Sequence, residues 1–103
     1  MIIFYFLFNS STGNEDIFDL KLNQTIRSYG GTSFSNPWGI TIASSNGVTY
    51  IYVTDFGAGK IIKLHQNGSF VKSVARSDAL GITSSTNEIF VSGAGLLFKY
   101  DKR

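Results

Sequence analysis

Residues 36–74 read N-P-W-G-I-T-I-A-S-S-N-G-V-T-Y-I-Y-V-T-D-F-G-A-G-K-I-I-K-L-H-Q-N-G-S-F-V-K-S-V. Short apolar runs alternate here with Gly, Asn and Ser turns. Because successive strand residues face opposite sides, such runs read as half-buried strands. Four are expected: Gly39 to Ala43, Thr49 to Thr54, Lys60 to His65 and Ser69 to Val74. Asn46-Gly47 and Asn67-Gly68 are the strongest hairpin signals, since both residue types tolerate the positive φ that a tight turn demands. Pro37, with fixed φ and no N–H, is expected before the first strand. The stretch is therefore a four-stranded antiparallel meander.

Parts of this pattern recur on both sides. Trp38-Gly-Ile-Thr and Leu80-Gly-Ile-Thr are 42 residues apart, and Ile51-Tyr-Val-Thr and Ile89-Phe-Val-Ser are 38 apart. Lys63-Leu64 and Lys99-Tyr100 continue the match. Upstream, Thr25-Ile-Arg-Ser-Tyr lies 45 residues before Phe70-Val-Lys-Ser-Val, and the same offset lays Phe6-Leu-Phe on Ile51-Tyr-Val. Ile17 to Leu22 and Thr25 to Tyr29 read as two strands around an Asn23-Gln24 turn, in a hairpin closing at Gly30-Gly31. Self-similarity at about 40–45 residues, with four strands per unit, is the sequence sign of a β-propeller blade. The chain divides accordingly into an incomplete first unit (1–30), a complete central unit (31–78) and an incomplete last unit (79–103).

The motif Pro37-x-Gly39-Ile40-x-Ile42, then Ile51-Tyr52-Val53-Thr54-Asp55, Gly59-Lys60-Ile61 and Asn67-Gly68, resembles the NHL repeat of NHL-type β-propellers. In the last unit Ser92 stands where Asp55 stands in the central one, and Gly59, Lys60 and Ile61 hold the place of the Asn-His-Leu signature. The resemblance implies an all-β fold, a partial propeller of four-stranded antiparallel blades forming an open arc. A full-length relative would carry about six blades. The first unit would supply the second, third and fourth strands of a blade, and the last unit the first three. Further blades or self-association would close the ring, because open blade faces and unpaired edges associate.

Composition removes several function classes. The net charge of +2 is too small to imply nucleic acid or an anionic membrane as partner. With no cysteine, the chain has no disulfide, thiolate metal site or cysteine nucleophile, yet this does not fix the compartment. Met1 to Phe8, the most apolar run, is read as a buried strand in preference to a signal-peptide core, since no Lys or Arg precedes it and no clean cleavage site follows. It is also too short to span a bilayer. Asn9, Asn23 and Asn67 match the glycosylation sequon, which acts only in a secreted chain.

No catalytic constellation or cofactor motif emerges. His65 is the one histidine and cannot assemble a zinc site of three or four ligands by itself. Glu15 and Asp16 are adjacent acids in a polar loop, where carboxylates are solvated. Asp55 is expected to fix a turn by accepting backbone N–H bonds. Gly57, Gly59, Gly68, Gly93 and Gly95 are turn glycines, and Gly57-Ala-Gly and Gly93-Ala-Gly recur at equivalent positions, unlike a phosphate cradle.

What remains is the rim of loops on a rigid scaffold. The resemblance implies that Phe56, Lys60, Arg76 and Asp78 share one face with Gly93 to Gly95. Phe56 either presents its ring to a peptide or packs beneath its neighbour. The leading expectation is a non-enzymatic module that recognises protein or peptide through this face. The alternatives are a piece of an enzyme-bearing propeller, of lyase or hydrolase type, and an RNA-binding propeller with Lys60, Lys63 and Lys99 as a basic strip.

Overall fold

A computed structural model describes residues 2–7 and 20–102, with side chains from Lys21 to Lys102. The described residues form an all-β, antiparallel structure without helix, and the sheets do not close on themselves. Strands β1 (Ile2–Leu7) and β2 (Leu20–Ile26) pair with each other. β3 (Ser28–Tyr29) and β4 (Thr32–Ser33) make a short hairpin. β5 (Pro37–Ser45), β6 (Val48–Asp55), β7 (Lys60–His65) and β8 (Phe70–Ala75) are a four-stranded meander in that order. β9 (Gly81–Ser84), β10 (Glu88–Gly93) and β11 (Leu96–Asp101) are a three-stranded one.

The turns follow local chemistry. Asn46 (φ 53°) and Gly47 (φ 78°) join β5 to β6 with both central residues left-handed, the twist-compatible hairpin geometry. β10 and β11 are joined by Ala94 (φ 53°) and Gly95 (φ 75°), although alanine adopts that region at some cost.

Two parts of the sequence reading need correction. Asn23-Gln24 does not turn the chain: β2 runs through both residues and pairs with β1, and the irregularity there is a register shift opposite Phe4 and Tyr5. A ladder of six pairings satisfies more backbone than a turn would, and it overrides the local turn preference. The chain turns at Gly30 and Gly31, which join β3 to β4 with positive φ. Pro37 is also inside the strand, as its first residue opposite Asp55, followed by a bulge before Gly39. A first strand position tolerates the missing N–H.

The central sheet buries both faces through period-2 alternation. Ile51 and Val53 of β6, with Ile62 and Leu64 of β7, pack on one face against Ile26, Tyr29 and Phe34. Each of these four aliphatic side chains is almost fully buried, which stabilises by about 1.5–3 kcal/mol per residue. On the opposite face Ala43, Tyr52 and Ile61 meet Ala79, Ile89 and Val91 of the last sheet. The two cores thus lie on either side of one sheet, and the β5–β9 contact brings the central and last sheets together.

A candidate recognition face at the loop end of the sheets

Register places several connections at one end of the sheets. Pro37 stands opposite Asp55, Asp55 opposite Lys60, and Lys60 opposite Ala75. The Phe56 amide donates to the Asn36 carbonyl at 3.0 Å, and the Arg76 amide donates to Gly59 at 2.8 Å. In the last sheet Gly81 faces Ser92, and Gly93 faces Leu96, at the end from which Asp78 and Ala79 arrive. A Cβ on Gly93 would run into the Asp78 carbonyl, so only glycine allows that approach.

Asp55 is the centre of this end. It is fully buried, and its carboxylate accepts from Asn36 N at 2.7 Å, Ser35 N at 2.9 Å and Ala58 N at 3.3 Å. The bonds tie the strand-entry segment to the β6–β7 turn, so one side chain rigidifies two loops. Gly57 lies against the Ser35 side chain, and Gly59 takes φ 67° beside Ser77. At the other end of the sheet Gly68 takes φ 94° and packs against Ile26, away from the Asp55 cluster.

The four candidate binding residues are not equivalent. Phe56 is exposed at 38%. Lys60 is half-buried, with its ammonium 5.8 Å from the Tyr29 ring centroid. Arg76 is engaged within the fold: its Nε donates to the Tyr100 hydroxyl at 2.6 Å, and its guanidinium lies 4.0 Å from the Phe98 ring centroid. Asp78 is exposed and left-handed at φ 65°, where it shapes the connection into β9.

Sequence reasoning passed over Trp38. It is the residue between Pro37 and Gly39 where the β5–β6 register shifts, and such bulges redirect a side chain. Its ring is 62% exposed and meets Phe56 edge-on, with centroids 6.3 Å apart and planes at 71°. The signal in the sequence was the chain's single Trp directly after its single Pro.

The lysines singled out as a basic strip do not converge. Lys60 sits over Tyr29, whereas Lys63 lies on the opposite face of the central sheet, 4.1 Å from the Tyr50 centroid. Lys99 is on the far side of the last sheet, 3.7 Å from Glu88. His65 is exposed beside Tyr50, at 5.6 Å between ring centroids. Among the described residues no group of three His, Cys, Asp or Glu could hold a metal ion, and no helix is long and apolar enough to cross a membrane. Asn23 and Asn67 are both exposed, and the Asn67 side chain accepts from Ser69 N at 2.9 Å. Asn9, Glu15 and Asp16 lie outside the described residues.

Three of the described groups carry shifted proton affinities. Burial, then the neighbouring Tyr50, raises the Tyr52 phenol. Burial, then the negative charge of Asp55, raises the Tyr29 phenol, whose buried hydroxyl has no hydrogen-bond partner. Burial, then the neighbouring Lys72, lowers Lys63.

Comparison with family models, with curated proteins and with solved structures finds no match to this chain.

Proposed function

We propose that the chain is a non-enzymatic binding module that recognises protein or peptide through the loop end built around Asp55. The observation that carries this reading is the exposed edge-to-face pair of Trp38, at the β5 bulge, and Phe56, in the β6–β7 turn, next to segments pinned by the Asp55 carboxylate. Large aromatic side chains held at low entropic cost are the characteristic anchors of protein interfaces. Exposure of two of them together on a rigid support is otherwise unfavourable.

The scaffold is read as two successive blades of a propeller arc of the NHL type. The order β5-β6-β7 is followed by β9-β10-β11 in the same up-and-down sense, and the two sheets pack face to face. By register Ser92 corresponds to Thr54, so that Gly93 and not Ser92 stands in the place of Asp55, and each hydroxyl residue lies beside a glycine of its unit's first strand, Gly39 and Gly81. Panning a displayed peptide library on the chain, with Trp38→Ala and Phe56→Ala as counter-screens, tests the reading. Enriched peptides should lose binding to both variants. Peptides that bind wild type and both variants equally would rule this face out. Arg76→Ala is a poor probe, because it dismantles an internal contact.

A further inference from the structure

A second surface lies along the side of the molecule, between the central and last sheets. A cleft of about 200 Å³ opens there, lined by Ile61, Lys63, Lys72 and Val74 of the central sheet and by Tyr100 and Lys102 beyond it, with Asp101 at its margin. Lys63 and Lys72 are direct cross-strand partners on β7 and β8, and like charges placed opposite each other destabilise a sheet. Lys63 stacks over Tyr50 and Tyr52, while the Lys102 ammonium is held by the Ser44 carbonyl at 3.0 Å. Among the described residues neither Lys63 nor Lys72 forms an ion pair with an acid.

One wall of the cleft is the edge strand β11. In the central sheet β8 flanks β7, whereas the corresponding side of β11 carries no strand among the described residues. Backbone groups alternate in direction along an antiparallel strand. Since the Lys102 amide points inward to the Asn87 carbonyl at 2.9 Å, the amides of Leu97 and Lys99 point outward. Leu97 is 68% exposed on that edge.

We infer that this cleft accepts an extended acidic peptide segment, which adds to the edge of β11 as a fourth antiparallel strand and sets its carboxylates against Lys63 and Lys72. Main-chain bonds to Leu97 and Lys99 supply the strand addition. Alternate side chains point into the cleft, so acidic residues facing the two ammonium groups would be spaced by two from apolar residues facing Ile61 and Val74. The occupant is acidic because it relieves the Lys63–Lys72 repulsion, and extended because the wall it meets is a strand edge. This surface is separate from the Trp38–Phe56 pair and does not depend on it.

The test is anisotropy of a fluorescein-labelled peptide of about seven residues in which Glu and Val take alternate cleft-facing positions with Ser between them (Glu-Ser-Val-Ser-Glu-Ser-Val), titrated with the full chain. The peptide should bind, and a Lys-Val counterpart should not. Lys72→Glu, which creates a cross-strand ion pair with Lys63 and so preserves the fold, should weaken binding by more than about tenfold, because it removes one favourable charge contact, sets a carboxylate against those of the peptide and occupies Lys63. N-methylation of the peptide at the alternate amides that face β11 should abolish binding, and Leu97→Pro should do the same by removing an outward N–H. Trp38→Ala should leave it unchanged. Equal uptake of the Lys-Val or the N-methylated peptide would overturn the proposal. A dimer dispersed by Leu97→Pro, with no peptide uptake, would assign the edge to a second copy and also overturn it.

Discussion

The Thr54 hydroxyl donates to the Leu80 carbonyl at 2.6 Å while accepting the Gly39 amide at 2.9 Å. One fully buried side chain therefore joins β6 to β5 within the central sheet and to the chain entering the last sheet. Thr54→Val keeps the shape but strands both backbone groups, for an expected loss of about 1–3 kcal/mol. Thr54→Ser keeps both bonds and loses a methyl, about 1 kcal/mol. Urea denaturation of the two variants checks the order, and a Val variant as stable as the Ser variant would refute the bridging role.

Asp55 accepts three backbone N–H groups from two loops. Asp55→Ala leaves those donors in a buried site, and the expected loss is about 3 kcal/mol or more, since bonds to a charged acceptor are the stronger kind. Hydrogen exchange should show the amides of Ser35, Asn36 and Ala58 losing protection together. Unaltered protection at Ser35 and Asn36 would show that the carboxylate does not hold the entry segment.

Tyr29 is buried at 4% exposure with an unpartnered hydroxyl. Removing a stranded polar atom returns its desolvation cost, so Tyr29→Phe should be neutral or stabilise by about 1 kcal/mol. The raised phenol has a sign consequence in alkali. The folded form holds its proton above the pH at which the unfolded chain releases it, so the Tyr29 contribution is present below the unfolded phenol pKa and lost as pH rises through the folded one. Tyr29→Phe should flatten the alkaline fall in stability seen by thermal melting; an unchanged slope would count against it.

Lys63 is lowered by burial first and by Lys72 second. The folded state then binds fewer protons than the unfolded one over the window between the two lysine pKa values, and its destabilising contribution shrinks as pH rises through that window. Lys72→Gln should raise Lys63 towards the ordinary lysine value without restoring it fully, because burial remains. NMR titration of the Lys63 side chain reads this directly, and full recovery would mean that burial was not the main cause.

Much of the strand pattern was legible because it is local. Asn46-Gly47 fixes a left-handed turn and Ile51 to Val53 alternate around it, so β5 to β8 lie within a residue or two of their expected limits. Asn23-Gln24 misled because asparagine favours turns locally, whereas pairing with β1 is a distant interaction. Arg76 looked like a rim cation, and no local signal announces that Tyr100, 24 residues later, takes its Nε hydrogen bond.

The sequence by itself determined an antiparallel all-β chain and the positions of its glycine turns from residue 37 onward, because alternation and positive-φ requirements act between near neighbours. The tertiary structure decided which side chains are available. A bulge after Pro37 turns Trp38 outward beside Phe56, the Asp55 carboxylate closes on amides about twenty residues upstream, and Lys63 meets Lys72 across a ladder. These outcomes depend on register and on the packing of two sheets, energies that arise only between residues far apart in the chain.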